Sequence, residues 1–110
     1  MSIGTVTKRA RPQAPEAETI RRELLENDHV LVIESIYPPG GSVPTHTHHS
    51  PHVVYVVEGG TLETSAPDGT AEIHEVQPGE TLWRKAPQSH STRNVGDTRV
   101  RIVEIEVKGS

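Results

Sequence analysis

The chain has 110 residues, is 32% hydrophobic, and carries a formal net charge of −4 with no cysteine. That length suits one small domain with a modest core, and the missing cysteine excludes a disulfide framework, a thiolate nucleophile and an iron–sulfur site. The charge argues against a nucleic-acid surface, three aromatics (Tyr37, Tyr55 and Trp83) are too few for base stacking, and no run is apolar enough for a signal peptide or membrane span.

Residues 1–18 are polar, with Lys8, Arg9 and Arg11 followed by Pro12 and Pro15. They read as a flexible arm, leaving 19–110 as one folded domain. An arm packed on a partner subunit is the other reading. Thr19 to Asn27 has helical spacing at Ile20, Leu24 and Leu25, but Asn27-Asp28 reads as a turn and a strand follows, so a strand is expected. His29 to Tyr37 is rich in Val and Ile and is predicted as a strand that Pro38-Pro39-Gly40-Gly41 stops.

Gly40 to Gly59 carries four of the seven histidines. His46 and His48 are two apart, so on extended backbone both rings point to one face. His52 has the same parity, though Pro51 intervenes. Converging imidazoles suit a borderline divalent metal, whereas a His-rich surface loop is the bland alternative. His52 to Glu58 is nearly all β-branched and apolar on both faces, which predicts a strand covered on both sides, as in a closed sandwich or at a subunit interface. Thr61 to Ala66 and Thr70 to Val76 flank Pro67-Asp68-Gly69 as a hairpin. After Gln77-Pro78-Gly79 come strands at Glu80 to Ala86, Ser89 to Val95 and Thr98 to Lys108. Turn signals every eight to twelve residues or so point to an all-β sandwich or barrel.

Two stretches together resemble the paired motifs of the cupin superfamily. The first motif, G-x5-H-x-H-x3-E-x6-G, is met by Gly40, His46, His48 and Gly59, with His52 where the family usually has Glu. The second, G-x5-P-x-G-x2-H-x3-N, is met by Gly79, His90 and Asn94, with Lys85 in the Pro position and Pro87 in the Gly position. The motifs span about half of the chain. The resemblance implies a jelly-roll β-barrel or sandwich in which two neighbouring strands of one sheet aim His46, His48, His52 and His90 into the mouth. It also implies one divalent transition metal, Zn, Fe, Mn or Ni, on those four rings. Asn94 matches the structural Asn that orders a turn.

A four-imidazole set is neutral, so a bound ion keeps its full charge toward an enolate, phenolate or carboxylate. His49 neighbours His48 and is expected to face away, while His29 and His74 have no motif support and read as surface residues. On the last strand Val100, Ile102, Glu104 and Glu106 share one parity. If Val100 and Ile102 line the barrel, Glu104 does too and is a candidate general acid or base; a bulge near Ile102–Val103 would turn it to solvent. Arg84 reads either as an anion-binding residue or as a surface charge. Tyr55, opposite in parity to His52, reads as packing.

Two functions compete. One is a metal-dependent enzyme acting on a small organic substrate with an enolisable carbonyl, a phenol or a carboxylate, by cyclase, lyase, isomerase or dioxygenase chemistry. The other is a non-catalytic module that binds a metal and a small ligand. The second apolar face of Val53–Val57 predicts a homodimer. No nucleic-acid or membrane partner is expected, and a cytoplasmic location is the default.

Overall fold

The computed structural model describes residues 18–86 and 88–109. The proposed arm therefore falls almost wholly outside the described residues, as does Pro87 of the second motif. Nine strands form an all-β jelly-roll sandwich: β1 Ile20–Glu26, β2 Val30–Tyr37, β3 Ser42–His48, β4 His52–Glu58, β5 Gly60–Ser65, β6 Ala71–Val76, β7 Thr81–Arg84, β8 Gln88–Asn94 and β9 Val100–Val107. Five lie in one sheet in the order β1-β2-β9-β4-β7, and four in the other in the order β3-β8-β5-β6. Every pairing is antiparallel.

Strand alternation builds the core. Tyr37, Val54, Val56, Val100 and Ile102 point inward from the larger sheet and meet Val43, Leu62 and Val76 from the smaller one. Fully burying each such side chain is worth roughly 1.5–3 kcal/mol, so this short set makes a modest core concentrated at one end of the sandwich. Asn94 closes that end. It is fully buried; its Nδ2 donates to the carbonyls of Tyr37 (3.0 Å) and Thr98 (2.8 Å), and its Oδ1 accepts from Gly96 N (2.9 Å). Gly59 also belongs there for a steric reason, since a Cβ on it would lie 2.3 Å from the Val76 carbonyl oxygen.

The inward positions change character along the sandwich. On β9 they run Val100, Ile102, Glu104, and on β4 they run Val56, Val54, His52, so one end is apolar and the other polar. β3 reaches the same result through an irregularity. Its register with β8 shifts between Val43 and His46, so Val43 packs in the core while His46 and His48, of the opposite parity, still face inward.

The outer face of the larger sheet, where β4 turns its second apolar side, is left open by the described residues of this chain. Val53 and Val57 are half-buried and Tyr55 is 44% exposed; Trp83, opposite Val53, is 57% exposed. The same face holds Glu34, which is almost wholly buried between the guanidinium groups of Arg22 and Arg101. The hydrogen bond from Arg22, followed by that from Arg101, outweighs burial and holds this carboxyl below the usual range.

Candidate metal centre

The polar end gathers four imidazoles. His46 and His48 come from β3, and His90 lies directly opposite His46 on the neighbouring β8. The fourth, His52, begins β4 in the facing sheet. This corrects the expectation that one sheet supplies all four: the chain crosses between sheets from His49 to Pro51, so the rings approach from two sides. Ring centroids are 4.6 Å apart for His46–His48, 4.2 Å for His48–His52, and 5.0 and 5.1 Å from His90 to His46 and His48. Two overlapping sets have their donor atoms within 4.8 Å of one another, His46–His48–His90 and His48–His52–Glu104.

Hydrogen bonds fix which nitrogens face inward. His46 Nδ1 donates to the Pro44 carbonyl at 2.8 Å, and His48 Nδ1 donates to Glu106 Oε2 at 3.1 Å. Neither partner can donate, so each Nδ1 carries a proton, and in the neutral rings both Nε2 atoms present lone pairs. Those two Nε2 atoms lie 2.9 Å apart. Two lone pairs so close repel unless they share an electrophile, either a proton or a metal ion. Nitrogens bound to one ion at about 2.1 Å and at right angles are about 3.0 Å apart, so the spacing fits a metal.

His52 points the same way. It is fully buried, and neither ring nitrogen has a hydrogen-bond partner among the described residues. Burial first, and the neighbouring His48 second, push its pKa down. Burial first, followed by the charges of His46, His48 and Arg84, takes the His90 pKa down to about 4. Neutral imidazoles are the form that binds metal. An all-imidazole set with a carboxylate at its edge suits Zn, Fe, Mn or Ni.

Glu104 faces this chamber. No bulge interrupts β9 against β2, and Glu104 is 5% exposed. Its Oε1 lies 3.3 Å from Arg21 Nη1, whose other hydrogen bond goes to Ser35 Oγ at 3.0 Å. Its Oε2 lies 3.8 Å from His52 Nε2, beyond hydrogen-bond reach. Arg21 had no signal in the sequence, because its role depends on β1 packing beside β2 and β2 beside β9. Glu106 was missed as the partner of His48, although it shares the parity of Glu104.

The remaining residues divide. His49 and His29 are exposed as expected. Tyr55 faces out and is part of the open outer surface. His74 departs from the surface assignment: it is half-buried on β6, lines the cavity, and contacts Thr64 Oγ1 at 3.1 Å. Its even parity with buried Val76 was the available signal. Arg84 is half-buried opposite His52 and also lines the cavity. The cavity has an inner, largely apolar chamber of about 50 Å³ and an outer, polar one of about 180 Å³, with Thr64, Arg84 and His90 lining both. Among the described residues no helix is long and apolar enough to cross a membrane.

The cupin domain family description matches residues 33–106. The beta-alanine degradation protein BauB of Pseudomonas aeruginosa is 33% identical over 98 residues, covering 89% of this chain and 97% of that protein. The crystal structure of a cupin domain from Bordetella pertussis Tohama I has a TM-score of 0.78 at 30% identity, covering 84% of this chain and 95% of that one. The polyketide cyclase RemF from Streptomyces resistomycificus has a TM-score of 0.64 at 29% identity, covering 81% of this chain and 64% of that one.

Proposed function

We propose that this chain, which belongs to the cupin superfamily, is a metal-dependent enzyme acting on a small organic substrate with an enolisable carbonyl, a phenol or a carboxylate. The reading is supported most by the two Nε2 lone pairs of His46 and His48 facing each other at 2.9 Å. The buried, unpartnered ring of His52 adds to it. His46, His48, His52 and His90 would hold one divalent ion, and such an ion supplies Lewis acidity toward a substrate oxygen.

The chain's own groups do the rest. Glu104 is the proton acceptor. Arg21 engages its Oε1 and leaves Oε2 turned toward the histidines, so the carboxylate is oriented with one oxygen free for a substrate proton. Val54, Leu62 and Ile102 wall the inner chamber and exclude water, which strengthens every polar contact within it. Glu106 orients His48 by the hydrogen bond to Nδ1. A placed proton acceptor favours cyclase, lyase or isomerase chemistry, and the similarity to a polyketide cyclase supports the same direction. Turnover that requires O2 would move the reading to a dioxygenase. The working unit is a cytoplasmic homodimer joined through the outer face around Tyr55 and Trp83.

Glu104→Gln tests the chemical step. It keeps shape and hydrogen bonding but removes the base, so metal content stays at the wild-type level while turnover falls on the order of a hundredfold or more. Full turnover in this variant excludes Glu104 as the base.

A further inference from the structure

The charges around the cavity do not balance. Glu104 is engaged by Arg21, Glu106 by His48, and Glu72 lies 3.5 Å from His74 Nε2. Of these three carboxylates, Glu104 is the one paired with a permanent cation, since a histidine is charged only when protonated. Arg84 has no such partner: among the described residues it makes no ion pair and no side-chain hydrogen bond, yet it is half-buried where the two chambers meet. A guanidinium there is matched by a planar oxyanion that accepts two parallel N–H bonds.

Thr64 lines the same boundary. His74 Nε2 lies 3.1 Å from Thr64 Oγ1 and 3.5 Å from Glu72 Oε1. With the hydrogen on Nε2, His74 donates to Thr64 Oγ1, and the hydroxyl hydrogen of Thr64 is left for a cavity ligand. Guanidinium and hydroxyl donors define an anion subsite at the chamber boundary, while the one carboxylate among the described residues lining the outer chamber, Glu72, is 72% exposed to solvent. The inner chamber has room for only a few atoms, roughly three to five waters' worth, so the body of a ligand sits in the outer chamber.

We propose that Arg84, helped by Thr64, binds the carboxylate of a small oxo or hydroxy acid whose second oxygen is presented to the histidine cluster. This deepens the enzyme reading and rests on it for the second oxygen only. The acid carries two oxygen functions separated by a short chain, one held by charge and the other at the reacting end.

Isothermal calorimetry with 4-oxopentanoate, its primary amide and pentanoate tests this on metal-loaded and chelator-treated protein. Wild type binds 4-oxopentanoate more tightly than the amide by about tenfold or more, the scale of a charge-assisted hydrogen bond. Arg84→Gln removes that preference without changing metal content, and Arg84→Lys restores part of it. Melting curves check that the variants fold. Equal affinity for acid and amide, no binding of either acid, or an unchanged preference in Arg84→Gln overturns the proposal. If Arg84→Gln loses the preference while 4-oxopentanoate binds loaded and chelated protein equally, the carboxylate subsite stands and the metal reading falls.

Discussion

Glu106→Gln probes a residue that touches no substrate yet controls the centre. Glu106 Oε2 accepts from His48 Nδ1 at 3.1 Å, with the two side chains 18% and 2% exposed, so solvent screens the contact little. A hydrogen bond to a charged group contributes roughly 1.5–3 kcal/mol, against roughly 0.5–1.5 kcal/mol for a neutral pair. The difference is on the order of 1–1.5 kcal/mol, or about tenfold in metal affinity. Glu106→Ala, which also releases the ring orientation, approaches the hundredfold end of the range for such supporting contacts, about 10–100-fold. The assay is a competition titration against a chelator of known affinity, with melting of the chelator-treated variants as a control. Gln still offers an acceptor, so metal-free stability moves little. Unchanged metal affinity in both variants would refute the argument that Glu106 fixes the donor nitrogen of His48.

Acid weakens the protein in two ways. In chelator-treated protein, His90 has its pKa lowered from 6.5 to about 4, so between those values the unfolded chain binds more protons. Stability is therefore full above about 6.5, falls as pH drops toward about 4, and levels off below; the loss is on the order of 2 kcal/mol after allowing for solvent screening. Urea titrations across that window measure it, and a flat profile contradicts the burial of His90. Burial lowers the His52 pKa and takes that of His90 down to about 4, so metal occupancy falls as pH drops from about 6.5 toward 4, whereas occupancy held well below pH about 4 means that carboxylates retain the ion. The proposed dimer predicts that wild type scatters light as a dimer and that Trp83→Glu, on the exposed apolar face, scatters as a monomer with its far-ultraviolet spectrum kept; a wild-type monomer at every concentration removes the proposal.

The strands, the sandwich and the convergence of the histidines were legible because alternation and turn residues report them directly. Spacing could not show which sheet each ring comes from. His46 and His48 differ in parity from Val43, and only the register shift between Val43 and His46 lets both kinds of residue face inward. The crossing before His52 is likewise a property of the assembled sheets. Glu104 was readable because β9 keeps one parity from Val100 onward. Arg21 was not, since it meets Glu104 across 83 positions of sequence and two strand pairings. His74 was masked by Ile73: the apolar residue faces outward at 59% exposure and the imidazole faces the cavity, the reverse of a simple hydrophobic reading. Glu34 breaks the same rule on the opposite face, where two arginines make its burial tolerable.

Elemental analysis of protein purified without added metal, wild type beside His52→Ala, bears most directly on the metal centre. His52 separates this site from one with the family's usual Glu, and its buried ring has no partner among the described residues. The account predicts about one transition-metal ion per wild-type chain and a sharp loss of both content and affinity in His52→Ala. Wild-type stoichiometry and affinity in His52→Ala would contradict it.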